Sequence, residues 1–297
     1  MKIAILGKLA NLGWGLESLI SRHQDRARVP IGLYDDDDLP YIFSDQSVTH
    51  LVSLQGRRID RKLLRRFDGK KILWNAEFLP YPGFEKDPEA LSRLRAIEPL
   101  EDFDLILNGC PKSTRWLKET RGINAQWFPM MGVDPLIHRR IPEIEKDIDV
   151  GFYGTPNERR ARIFSEIAEA LLPMGLTVHW ANAWGEDLIL FINRCKIVLN
   201  LHYTDQINTE SRIYETLGCG SLCLSEPISM DPQEDHWDIE IGSKDEYGGL
   251  IGSLWGLLDE PEYCRAMEDV GYEFIHSHFG IVTVLNMLAD YCERLGG

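Results

Sequence analysis

No stretch of this chain is long and apolar enough to cross a bilayer, and Met1-Lys-Ile-Ala-Ile-Leu-Gly7 is too short to be a secretory leader core. The expectation is a cytoplasmic, reduced protein. Cysteine is sparse as well: Cys110, Cys195, Cys219, Cys223, Cys264 and Cys292 show neither paired spacing nor a Cys-x-x-Cys unit, which speaks against a disulfide framework and a zinc site. Cys219 and Cys223, four apart, read as buried thiols. Gly7, Gly13 and Gly15 miss the G-x-G-x-x-G spacing, so a nicotinamide-dependent oxidoreductase is disfavoured. There is no internal repeat and no low-complexity linker. Net positive charge is missing too, since 32 Lys and Arg face 47 Asp and Glu, a formal charge of −15 that speaks against nucleic-acid binding through the whole surface.

What is present is length and alternation. A chain of 297 residues suits two domains, and short apolar runs alternate with amphipathic ones throughout, the pattern of parallel sheets with crossover helices. In the first half, strands are predicted at 2–6, 32–34, 48–54, 71–74 and 104–108, with helices at 16–23 and 111–119 and a last apolar segment at 125–129. An aromatic, proline-rich loop, 78–84, follows the fourth strand. In the second half, strands are predicted at 148–153, 177–180, 196–201 and 222–224, with helices at 159–172, 186–194 and 211–217. An irregular acidic stretch, 226–245, precedes two closing helices. The aspartates 35–38 read as a solvated acidic loop, because consecutive residues rarely converge on one ion.

Two segments carry the functional signal. Asp149-Val-Gly-Phe-Tyr-Gly-Thr-Pro-Asn-Glu-Arg-Arg160 pairs a strand with a glycine turn and a helix start, and Ser211-Arg-Ile-Tyr-Glu-Thr-Leu-Gly-Cys-Gly220 is a carboxylate-bearing helix that ends in glycines before another strand. Together with Val198-Leu-Asn200-Leu-His202, these resemble the nucleotide-sugar domain of GT-B glycosyltransferases, closest to the bacterial and phage spore-maturation branch with its family 1/4-like C-terminal domain. There a strand ends in Gly-x-x-x-x-x-Arg, a later strand reads Val-Leu-Asn-Leu-His, and an Arg-x-x-Glu helix follows. The resemblance runs from about residue 127 to residue 285. It implies an α/β fold of GT-B architecture, two Rossmann-like domains with parallel sheets facing across a cleft. The N-terminal acceptor domain would span 1–132 and the C-terminal nucleotide-sugar domain 133–280, with a last helix, about 281–295, packing back on the former.

The resemblance also implies roles. Glu215 would accept hydrogen bonds from the ribose hydroxyls. Arg212, one turn earlier, would suit the diphosphate. Gly154 and the helix start behind it would face phosphate, with Arg159 or Arg160 reaching it bidentately. Asn200 and His202 stand at a strand end, where open α/β sheets bind ligands. Retaining members of the best-known type carry a second glutamate eight positions before the first, but Ile207 occupies that position here, and Glu210 is the nearest substitute. On the acceptor side, Glu77 is the candidate general base, with a capping carboxylate as the plain alternative. Gly13 and Gly15 form the glycine loop after the first strand.

The implied activity is transfer of a sugar, a hexose foremost, from a nucleoside-diphosphate sugar to an acceptor hydroxyl. The donor would be a UDP-sugar first of all, with no other cofactor and no metal. The alternative is a non-catalytic nucleotide-sugar binder or scaffold. The segment 56–71 carries eight basic and two acidic residues. Ile59, Leu63, Leu64 and Phe67 at helical spacing would turn inward and most arginines outward. Arg57, Arg58, Arg61, Arg65 and Arg66 then form either a solvated face or a patch for an anionic polymer such as hydroxymethylated DNA.

Overall fold

Runs such as Ile3-Ala-Ile-Leu6 and Val150-Gly-Phe-Tyr153 are apolar on both faces, which suits strands covered by helices on either side. The computed structural model describes residues 1–7, 15–55, 59–207, 209–228, 240–241 and 247–296. The chain divides into two compact units, Met1–Gly132 with Ile281–Gly297, and Val133–Gly280.

The first unit holds β1 (Lys2–Leu6), α1 (Leu16–His23), β2 (Ile31–Tyr34), α2 (Leu39–Ser44), β3 (Val48–Leu54), α3 (Arg61–Leu64) and β4 (Lys70–Asn75). It continues with α4 (Pro88–Ile97), β5 (Leu105–Asn108), α5 (Pro111–Arg121) and β6 (Ala125–Trp127). Its strands form one parallel sheet in the order β2-β1-β3-β4-β5-β6. Ile5 aligns with Leu33 on one side and with Val52 on the other. The chain leaves β1 toward β2 and returns across it to β3, so the order reverses between β1 and β3.

The second unit holds β7 (Ile148–Tyr153), α6 (Glu158–Leu171), β8 (Val178–Ala181), α7 (Glu186–Arg194), β9 (Cys195–Asn200), α8 (Ser211–Gly218), β10 (Leu222–Ser225), β11 (Glu240–Ile241), α9 (Tyr247–Asp259) and α10 (Pro261–Phe279). Its sheet is parallel, in the order β11-β10-β9-β7-β8, with Val150 opposite Ile197 and Cys223 opposite Val198. Val150, Phe152, Ile163, Ile167, Ile197, Leu199, Leu222 and Leu254 form its core. Cys219 and Cys223 are buried, and burial pushes the Cys223 thiol up to about 12.

The last helix, α11 (Ile281–Gly296), belongs to the first unit. Val284, Leu285, Leu288 and Ala289 are fully buried, an i, i+3/i+4 stripe. The Cys292 carbonyl lies 2.9 Å from the His50 ring, and Tyr291 donates from its hydroxyl to the Trp127 carbonyl at 3.2 Å.

Two expectations change. Three helices close the chain rather than two, because Asp259-Glu260-Pro261 breaks the helical run: proline takes the first position of α10. Among the described residues the basic segment is helical only over Arg61–Leu64; Ile59, Leu64 and Phe67 are buried as the spacing implied, and Arg65 and Arg66 are exposed while Arg61 turns inward.

Candidate nucleotide-sugar site

The carboxyl ends of β7, β9 and β10 meet at one edge of the second sheet. β7 runs into Gly154, whose φ of +135° suits glycine alone; a Cβ there would sit 2.6 Å from an Arg212 Nη2. The chain then enters α6 through Asn157, which accepts from the Arg160 amide at 2.8 Å and donates to the Tyr203 carbonyl at 2.7 Å.

Arg212 in the first turn of α8 is only 5% exposed. Its Nε donates to the Tyr153 carbonyl at 2.8 Å, and its Nη1 to Asn200 Oδ1 at 2.7 Å and the Leu201 carbonyl at 3.4 Å. The guanidinium also lies 4.8 Å from the Phe152 ring centre and 5.2 Å from that of Tyr153. One buried cation thus ties β7, β9 and α8 together. Asn200 is fixed in turn by its own donation to Ser225 Oγ at 2.8 Å.

Glu215, one turn along α8, is partly buried and accepts from the Tyr153 hydroxyl at 2.9 Å. Burial pushes its carboxyl above the usual range, against the opposing pull of Tyr153 and Arg212. Burial and the Glu215 charge together push the Tyr153 phenol well up.

Arg160 and Arg159 are adjacent in sequence but not alike in space. Arg160 is buried, donates to the Leu201 carbonyl at 3.0 Å and the Thr155 carbonyl at 3.1 Å, and stands 3.5 Å from Glu210. Burial, reinforced by the Arg212 charge, lowers it to about 10. Arg159 makes a bidentate pair with Glu226 at 2.6 and 3.0 Å, and further bonds to Asp205 at 2.7 Å and the His202 carbonyl at 3.1 Å. Burial would lower it, but the Glu226 and Asp205 carboxylates outweigh that and hold it above its ordinary value.

His202 is buried with Nε2 at 2.8 Å from the Pro227 carbonyl and Nδ1 at 3.6 Å from Glu210. Burial works to raise Glu210, yet the nearby His202 ring and the Arg212 and Arg160 charges win and hold it at about 2. The structure therefore brings Gly154, Arg159, Arg160, Asn200, His202, Glu210, Arg212 and Glu215 to one sheet edge.

Tyr153, Asn157, Asp205 and Glu226 join them without having been singled out in the sequence. Glu226 also accepts from the His202 amide at 2.7 Å. Tyr153 and Glu226 end or follow strands at the same edge as Asn200, which was the one signal available.

The remaining candidates lie in the first unit. Glu77 is ion-paired with Arg93, which also meets Glu89 at 2.9 Å and stacks on the Phe78 ring. Gly15 caps α1, while Gly13, Arg57 and Arg58 lie outside the described residues. Arg61 turns inward to the Ile97 carbonyl and over the Phe103 ring, and Arg65 makes a bidentate pair with Asp102 at 2.8 and 3.2 Å. Their partners come from chain more than thirty residues away; Arg61 turns inward, while Arg65 stays exposed beside its partner. Arg66 is exposed. Among the described residues no group of three or more His, Cys, Asp or Glu could hold a metal ion, and no helix is long and apolar enough to cross a membrane.

Similarity to solved structures extends over the whole length of the chain. The Anabaena protein HepE, solved in complex with UDP, covers 99% of this chain and 100% of its own, with a TM-score of 0.66 at 11% identity. Sucrose-phosphate synthase from Thermosynechococcus elongatus covers 100% and 99%, with a TM-score of 0.68 at 11% identity. The chain has the GT-B glycosyltransferase fold. A third GT-B structure, an alpha-glucosyltransferase in complex with UDP-glucose and DNA containing an abasic site, covers 99% of each chain at 12% identity and a TM-score of 0.65. By sequence, two uncharacterized proteins of Acanthamoeba polyphaga mimivirus are similar, at 26% identity over 214 residues and 22% over 182. Those matches cover 71% and 59% of this chain, and the chain spans about three fifths of the length of these curated relatives. No family model matches it.

The Glu210 cluster has a measurable consequence. A carboxyl held at about 2, against an ordinary 4.5, stabilises the fold above pH 4.5, and that contribution is lost as the pH falls toward 2. Denaturant unfolding of Glu210→Gln is expected to show a deficit of roughly 2–3 kcal/mol at pH 7 that closes between about pH 5 and pH 2. A deficit that stays constant over that range would contradict the pairing.

Proposed function

We propose that this chain is a glycosyltransferase that moves a sugar, a hexose foremost, from a UDP-sugar to an acceptor hydroxyl. The second unit binds the donor and the first the acceptor. The observation that carries this reading is Glu215: a carboxylate in α8, beside the buried Arg212 and the Gly154 turn, at the edge of a parallel sheet where α/β folds take ligands. The fold shared with structures solved with UDP and UDP-glucose supports it.

In this reading Glu215, a residue only partly buried, accepts from the ribose hydroxyls. Arg212 and Arg160, occupied by strand-end carbonyls, shape the site. Arg159 is the cation that meets the diphosphate: its Asp205 partner is 83% exposed, so exchanging that contact for a phosphate oxygen costs little, while Glu226 keeps the guanidinium in place. Glu210, ionised down to about pH 2, acts as a fixed anion that anchors His202 and Arg160. Glu77 meets the acceptor through its pair with Arg93. Exposed Arg66, with Arg65, offers an anionic polymer such as hydroxymethylated DNA its first contact.

Glu215→Ala is expected to weaken UDP binding by about 10- to 100-fold, the equivalent of about 1.5–3 kcal/mol for a lost charged hydrogen-bond acceptor, with the melting temperature of the unliganded protein little changed. Unchanged UDP affinity in a calorimetric titration would remove the main support. Sugar transfer or UDP-sugar hydrolysis is further expected to persist in excess EDTA, because arginine and helix termini meet the diphosphate. Loss in EDTA with recovery on adding magnesium or manganese would overturn the metal-independent arrangement.

A further inference from the structure

The second unit has a cavity at the edge away from Glu215. Its strands run parallel, so the residues just before β7, β9 and β10 share the side opposite Gly154, Asn200 and Glu226. A cavity of about 320 Å³ opens there, lined by the segment 140–146 and by α10, with Gly220 just before β10. That volume suits a small organic ligand, since binding pockets start at roughly 300 Å³. Ile141 and Ile144 supply apolar wall, and the cations Arg140, Lys146 and Arg265 meet only two lining carboxylates, Glu268 and Asp269. Glu143 and Glu145 of the same segment are exposed and do not line it. In a chain of formal charge −15 the lining is locally positive.

The three cations are not equally committed. Lys146 is paired with Glu268, which is only 13% exposed, and its Nζ also donates to the Gly220 carbonyl at 3.4 Å, so it is fixed. Arg140 is ion-paired with Asp269 at 2.6 Å, but that carboxylate is 65% exposed and little is lost by releasing it. The pair runs through Nη1, while Nη2 is shielded from water and has no hydrogen-bond partner, an unfavourable state that a second acceptor oxygen relieves. The guanidinium is nevertheless seated. It lies 4.6 Å from the Tyr272 ring centre, and Gly220, at φ of +69°, keeps clear the space a side chain would take from it. Arg265 donates from Nε to the Pro261 carbonyl at 3.2 Å and, among the described residues, forms no ion pair.

We propose that this cavity binds a small phosphate monoester, held by Arg140 and Arg265, at the edge of the second sheet opposite the nucleotide-sugar site. Two phosphate oxygens take both terminal nitrogens of Arg140 where Asp269 takes one, the second phosphate charge meets Arg265, and the organic body rests on Ile141 and Ile144. A carboxylate monoanion would only replace Asp269 with its like. Nothing in this site requires the glycosyltransferase reading.

Phenyl phosphate is a suitable probe, with benzoate as the monoanion of the same ring. The experiment titrates the intact protein with each in a calorimeter, with and without excess UDP, for wild type, Arg140→Gln, Arg265→Gln and Asp269→Asn, with thermal melts to show that each variant is folded. Wild type is expected to bind phenyl phosphate at one saturable site and benzoate more weakly, with the phosphate affinity unchanged by UDP. Each arginine variant is expected to bind at least about tenfold more weakly. Asp269→Asn is expected to bind severalfold more tightly, because it removes the carboxylate that competes for Arg140, a gain that damage to the fold does not produce. No heat from phenyl phosphate at millimolar concentration would overturn the proposal. So would equal affinity in wild type and folded Arg265→Gln, or displacement of the probe by UDP, which would put it at the opposite edge. Failure of wild type to bind UDP would leave this site standing and remove only the donor reading.

Discussion

The second unit depends on one buried cation. Arg212 cannot reach water, so its donors must find acceptors inside the protein, and they find the Tyr153 carbonyl, the Asn200 side chain and the Leu201 carbonyl. Those groups are the ends of β7 and β9. Because Arg212 lies in α8, the same bonds set the helix against the sheet edge and place Glu215 beside Tyr153. Gly154 follows from it as well, since a side chain there would occupy the space of the guanidinium. Removing the arginine would leave several strand-end acceptors without a donor, so its loss is expected to disturb geometry before it disturbs charge.

Around that cation the charges are arranged in pairs: Arg159 with Glu226 and Asp205, and Arg160 with Glu210, which also faces His202. A site so balanced does not attract an anion by net charge. It must do so through a partner that can let go, and the exposed Asp205 is the carboxylate best placed to do that. Arg159 is thereby distinguished from Arg160 and Arg212, although all three are arginines at strand or helix ends.

Much of the fold was legible because burial on both faces leaves a mark in composition. Strands β3 and β7 and helices α1 and α7 were read to their ends from apolar runs and turn residues. The Arg-x-x-Glu helix and the glycine turn were legible as motifs, but the direction of a guanidinium is not written in spacing. Arg212 read as a phosphate ligand, whereas the structure turns it toward backbone carbonyls. Arg159 and Arg160 read as equivalents until the Asn157 cap set the phase of α6 and sent one of them inward. In the basic segment, Arg61 looked solvated because its acceptor, the Ile97 carbonyl, lies far along the chain.

The central claim is that the edge built around Arg212 and Glu215 receives a uridine diphosphate. It is tested most directly by titrating the intact protein with UDP, ADP, GDP and dTDP in a calorimeter, alongside thermal melts at the same concentrations. Saturable binding of UDP at one site, with a melting temperature that climbs with its concentration and with weaker effects of the other three, is the expected result. No heat and no shift from UDP at millimolar concentration would contradict it.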